Sequence, residues 1–100
     1  MKQILTGLDR LLENRIRLGV MSLLVVRREV DFNSMKELLG VTDGNLASHT
    51  STLEREGYLH VKKAFVGKKT QTTYRITEAG QRVFAEHVHA LERLLKGARP

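Results

Sequence analysis

The chain has no cysteine and no tryptophan, and its single proline is the last residue, Pro100. Without thiols there are no disulfide staples, no cysteine-ligated zinc and no thiol-based redox sensing. No Ser- or Pro-rich linker and no internal repeat divides the 100 residues, so one domain over 1–100 is expected. Long apolar runs are missing too. The longest, Val20 to Val26, is interrupted by Ser22 and falls far short of a bilayer span. Met1-Lys2-Gln3 leads into an amphipathic stretch that carries acids and no small-residue cleavage site, so it does not read as a signal peptide. A cytoplasmic protein without a membrane partner is expected. Paired carboxylates on one face, a nucleophile elbow, a phosphate-cradling Gly-rich loop and a metal triad are all absent from the sequence, which argues against an enzyme and against a cofactor.

Acidic residues are locally missing as well. The formal net charge is +6, and from Lys62 to Arg75 the five bases Lys62, Lys63, Lys68, Lys69 and Arg75 face no acid. That segment carries +5 and the rest of the chain +1. Such a patch points to an anionic partner, nucleic acid being the commonest, although a merely solubilising hairpin would have the same composition.

Hydrophobic spacing supplies the organisation. Ile4, Leu5, Leu8, Leu11 and Leu12 have helical spacing, predicting an amphipathic helix over about 3–12. Asn14 can cap a second helix with Ile16, Val20, Leu23 and Leu24 inward, and Glu29 to Phe32 reads as a short extended piece. Asn33 to Leu39 predicts a short helix with Met35, Leu38 and Leu39 inward, closed by Gly40. Thr42 then caps the next helix, Val41 and Leu46 have the spacing of a hydrophobic staple, and Gly57 stands where that helix should end. This is a helix-turn-helix over about 33–57. Beyond it the period becomes extended. Tyr58 to Val61, Ala64 to Val66 and Thr72 to Ile76 suit strands around a polar tip, Gly67-Lys68-Lys69-Thr70, giving a hairpin over about 58–76. Thr77 caps a last helix over about 77–96, whose stripe is Val83, Phe84, Val88, Leu91, Leu94 and Leu95. The expected fold is mainly α with a small β-hairpin: a winged helix-turn-helix.

On a helical wheel Leu46, Thr50 and Leu53 share one side of the helix from Thr42. Gly44, Ser48, Ser51 and Arg55 lie opposite, flanked by Asn45 and Thr52. A small polar face suits the major groove, where arginine can read guanine and Asn45 adenine. It equally suits plain solvent exposure, and the basic hairpin next to it favours DNA. Lys68 and Lys69 would meet phosphates or sense minor-groove width, with Gln71 and Arg75 as weaker contacts or as partners of Glu54 or Glu56.

Leu38-Leu39-Gly40-Val41-Thr42-Asp43-Gly44-Asn45-Leu46-Ala47-Ser48-His49 and Leu53-Glu54-Arg55-Glu56-Gly57-Tyr58-Leu59 resemble the MarR/ArsR-like winged-helix transcriptional regulators. So does Phe65 to Gly80, and the likeness is greatest to the compact subgroup with no further domain. The resemblance implies a homodimer on duplex DNA, with the helix from Thr42 in the major groove and the hairpin as wing. This sequence departs from the pattern at Thr50, where a core leucine is usual, at Ser51-Thr52, often basic, and at Thr70-Gln71 in the wing.

The apolar stripe formed by Ile4, Leu5, Leu8, Val88, Leu91, Leu94 and Leu95 exceeds what a winged-helix core needs. It is read as a twofold dimer interface made by the terminal helices, the alternative being that both helices fold back on their own core. Of the four histidines, His87 and His89 face different ways on a helix and cannot share a metal, and His49 is read as a packing residue. The rival to a regulator is a protein-interaction module whose basic hairpin docks an acidic partner. The sequence identifies neither an operator nor an effector.

Overall fold

The computed structural model describes residues 5–97. Within it run helix α1 (Arg15–Arg27), strand β1 (Glu29–Asp31), helices α2 (Phe32–Leu39) and α3 (Asp43–Arg55), strands β2 (Leu59–Val66) and β3 (Lys69–Ile76), and helix α4 (Glu78–Gly97). The sheet is antiparallel in the order β1-β3-β2. Helices α2 and α3 form the helix-turn-helix and β2-β3 the wing, so the winged-helix expectation is met.

Local chemistry places most of the boundaries. The Asn14 side chain accepts from the backbone N–H groups of Ile16 and Arg17 and starts α1. Asp31 does the same for α2, accepting from the Ser34 N–H at 3.1 Å and the Ser34 hydroxyl at 2.6 Å. Those two bonds hold its carboxyl below the usual carboxylate range. Thr42 caps α3 through the Asn45 N–H, and Thr77 caps α4 through the Gly80 N–H. Between α2 and α3, Gly40 adopts the left-handed conformation (φ 64°, ψ 42°) that reverses the chain.

The core is one cluster. Val20, Met21 and Leu24 of α1 meet Met35 of α2, Leu46 and Leu53 of α3, and Val30, Leu59 and Tyr74 of the sheet. Alternation along the strands turns Leu59 and Val61 of β2 and Tyr74 and Ile76 of β3 to this side. Thr50 is 3% exposed, yet its hydroxyl is satisfied: it lies 2.9 Å from the Leu46 carbonyl, 3.2 Å from the Ala47 carbonyl and 3.3 Å from the Tyr74 hydroxyl. The departure from leucine at this position therefore places a polar link between α3 and β3 in the core.

Several expectations need correction. Over residues 5–13 there is no α-helix; turns give way to a 3-10 turn, Arg10–Glu13, opened by the Asp9 side chain on the Leu11 N–H. Thr6 and Gly7 are poor helix formers, and tertiary bonds fix the segment instead. The Asp9 N–H donates to His87 Nδ1 at 3.0 Å, the Tyr58 hydroxyl donates to Asp9, and Arg93 donates to the Thr6 carbonyl. Leu12 still reaches the core, through the 3-10 turn. Leu38 is exposed; the inward side of α2 runs through Phe32, Met35 and Leu39 instead. The hairpin spans Leu59 to Ile76, close to the expected 58–76, but its strands run further toward the tip and its loop is tighter than the expected Gly67–Thr70. Val66 pairs with Lys69, leaving a two-residue Gly67-Lys68 loop. A positive φ at Gly67 (65°) and not at Lys68 matches a type II′ turn, whose twist suits paired strands.

Candidate nucleic-acid interface

Helix α3 buries Leu46, Thr50 and Leu53 and nothing else. The wheel is thus oriented as expected: Thr42, Gly44, Asn45, Ser48, Ser51 and Arg55 are exposed and Thr52 is half-buried. Their polar groups are not all free. The Thr42 hydroxyl is committed to capping. The Thr52 hydroxyl donates to the Ser48 carbonyl at 3.2 Å and accepts from an Arg55 N–H at 3.3 Å, so Arg55 lies back along its own helix. Asn45 and Ser48 are exposed on the first turns, nearest the helix N-terminus, where amide and hydroxyl groups can reach outward. Asp43 would place a negative charge at this end, but Lys36 of α2 pairs with it at 2.8 Å. The two lie seven residues apart on different helices, so no sequence period reveals the pair.

The hairpin continues this surface. Lys63 pairs across the ladder with Thr72 and Val61 with Tyr74, so all four side chains share the face turned to α3. A groove of about 200 Å³ between them is lined by Ala47, Ser51 and Glu54 of α3 and by Lys63 and Thr72 of the hairpin. Lys63 is therefore the hairpin cation nearest α3. Sequence reading counted it in the basic patch without singling it out; knowing the register of β2 against β3 would have done so. Ala47, exposed beside Ser48, was likewise passed over. A methyl group there can meet a thymine methyl. Lys68 and Lys69 are exposed at the tip.

Gln71 and Arg75 are not brought to α3. They alternate with Thr72 and Tyr74 and so lie on the other face of the sheet. Gln71 borders a recess with Arg27, Asp31 and Ser34. Arg75 borders a cavity of about 490 Å³ with Leu24, Val25, Arg28, Ile76, Gln81 and Phe84. Neither pairs with Glu54 or Glu56; the ion pairs among the described residues are Lys36–Asp43 and His89–Glu92.

His49, on α3, has its Nδ1 2.9 Å from an Arg17 N–H of α1. Burial and, second, the Arg17 charge lower its pKa, so the ring stays neutral and holds α3 against α1. This agrees with a packing role. His87 is buried and His89 exposed, so the two do face apart.

A helix-turn-helix whose second helix shows water a small polar face, joined by a groove to a lysine-tipped wing, defines the winged-helix class. Residues 16–95 match the family described as winged helix DNA-binding domain, and the chain belongs to that family. It is MarR-like in fold, as the resemblance implied. An uncharacterized protein of Methanocaldococcus jannaschii is 32% identical over 81 residues, covering 81% of this chain and 88% of its own. A solved transcriptional regulator homologue from Pyrococcus horikoshii is 30% identical, covers 99% of this chain and 96% of its own, and superposes with a TM-score of 0.86. The PcaV transcriptional regulator of Streptomyces coelicolor shares the fold at 19% identity and a TM-score of 0.76, over 95% of this chain and 69% of its own. The matched family is a DNA-binding one, and both of these solved structures are described as transcriptional regulators. No helix among the described residues is long and apolar enough to cross a membrane.

Proposed function

We propose that this protein is a cytoplasmic transcriptional regulator that binds duplex DNA sequence-specifically as a homodimer. The first turns of α3 enter the major groove, with Asn45, Ala47 and Ser48 against base edges, Gly44 and the α3 N-terminus close to the backbone, and Ser51, Thr52 and Arg55 toward the flank. Arg55 must leave Thr52 to do so. The wing supplies phosphate contacts through Lys63, Lys68 and Lys69, while Gln71 and Arg75 are at most peripheral. The observation that carries this reading is the continuity of the α3 polar face with the α3-facing side of the hairpin across the Ala47–Ser51–Lys63–Thr72 groove.

Support for the dimer is the apolar surface of the terminal segments. Leu91 and Leu95 on α4 are 39% and 70% exposed, Leu5 is exposed, and Leu8, Val88 and Leu94 are half-buried. Ile4 lies outside the described residues. The alternative of complete folding back is half-realised, because residues 6–9 are bonded to α4. The leucines nearer the C-terminus nevertheless remain open. Two copies joined there would read half-sites about 10 bp apart.

Selection of bound duplexes from a random pool tests the reading directly. The expected result is an enriched pseudo-palindrome whose binding at low salt is lost in a Lys68→Glu, Lys69→Glu double variant. No detectable duplex binding by the wild type would instead favour a protein-docking role for the hairpin.

A further inference from the structure

The wing carries two large apolar side chains that the fold does not use. Phe65 is 79% and Val66 59% exposed, immediately before the Gly67-Lys68 loop. Core packing of the hairpin ends at Val61 and Tyr74. From Lys62 to Val66 the strand runs on for five residues, about 16 Å at strand rise. That is close to half a turn of DNA, about 17 Å, the step from a major groove to the adjoining minor groove. Phe65 pairs with Thr70 and lies on the α3-facing side with Lys63. Lysines at 62, 63, 68 and 69 surround it, with no acid from 62 to 75. This charge opposes association of two wings and favours a polyanion as the surface that covers the apolar tip.

We propose that Phe65 is a wedge that enters the minor groove at the wing tip and opens a base step there, while Lys68 and Lys69 hold the flanking phosphates. The inference rests on the DNA-binding reading and adds a source of site choice where α3 makes no contact. Opening is easiest at pyrimidine–purine steps, so TA or CA/TG is favoured beneath the wing.

The test uses the full chain and duplexes recovered by the selection, with 2-aminopurine placed at successive positions under the wing. Wild type should raise emission at one step and prefer TA over a G·C step there by roughly five- to tenfold. Phe65→Ser should bind within about threefold of wild type on duplexes with a G·C step, where the wedge gains little. It should show no emission rise, and its step preference should fall below about twofold. Phe65→Leu should restore part of both signals. Wild-type binding with no emission change at any position, or an unchanged preference in Phe65→Ser, overturns the wedge and leaves DNA binding intact. A wild type that binds no duplex overturns both. A drop in assembled mass on Phe65→Ser in sedimentation would make a second copy the occupant, and the wedge wrong.

Discussion

A methyl group at position 80 would overlap the Tyr58 carbonyl oxygen and crowd the Ile76 side chain. Gly80 is thus where α4 meets the base of the wing, on the first turn after the Thr77 cap. Gly80→Ala should destabilise the fold by about 1–3 kcal/mol, read as a lower urea midpoint with the slope unchanged. On the neighbouring strand β3, Tyr74→Phe removes the hydroxyl that shares a bond with Thr50. An expected loss of about 1 kcal/mol in the same assay checks whether that buried link contributes as other neutral hydrogen bonds do. His49 supplies a pH signature. Its pKa is lowered in the folded state, so below its ordinary value near 6.5 the unfolded chain binds the extra proton first. Stability should therefore fall as pH drops below about 6.5 and level off under the folded pKa. In His49→Gln the denaturation midpoint should decline less between pH 7 and pH 5.

Among the elements, the two that build the interface differ in how they were legible. Helix α3 was readable in full, because its N-cap Thr42, its closing Gly57 and its three inward residues all lie within one short, continuous stretch of chain. The helix expected over 3–12 was not. Its leucines have helical spacing, but Thr6 and Gly7 weaken the helix, and the side chains that settle the matter, His87, Tyr58 and Arg93, come from 49 to 87 residues away. The wing lies between these cases. Its existence followed from β-rich runs around a glycine, whereas its two-residue loop and the face each lysine occupies depended on register. On that register Lys63 lies on the face turned to α3, Arg75 and Lys69 lie on the other, and Lys68 stands in the loop at the tip. A Lys68→Ala, Lys69→Ala variant should lower the slope of log affinity against log salt by about two units, and Arg75→Ala by less than one.

Taken as a whole, the molecule is elongated. Its Cα radius of gyration is 15.2 Å, against about 13 Å for a round domain of this length, and its longest extent is 59 Å. Helix α4, about 30 Å long by helix rise, accounts for much of this and carries Leu91 and Leu95 on open surface. Leu91→Asp with Leu95→Asp should convert a dimeric mass in light scattering to the monomer value. The helix-turn-helix should stay folded by circular dichroism, since neither leucine is part of the core cluster. Operator binding should weaken in parallel if two recognition helices act together.

Composition, capping residues and hydrophobic period determined the architecture by themselves: most of the helix limits, the presence of a basic hairpin and the polar side of α3 are all set within a few turns of chain. Tertiary structure decided the rest. It bent the leading segment onto α4, gave Thr50 its partner in Tyr74, and sorted the hairpin cations between two sheet faces. The physical reason is range. Caps and amphipathic stripes arise between near neighbours, while strand register and long-range hydrogen bonds join residues that a linear reading holds far apart.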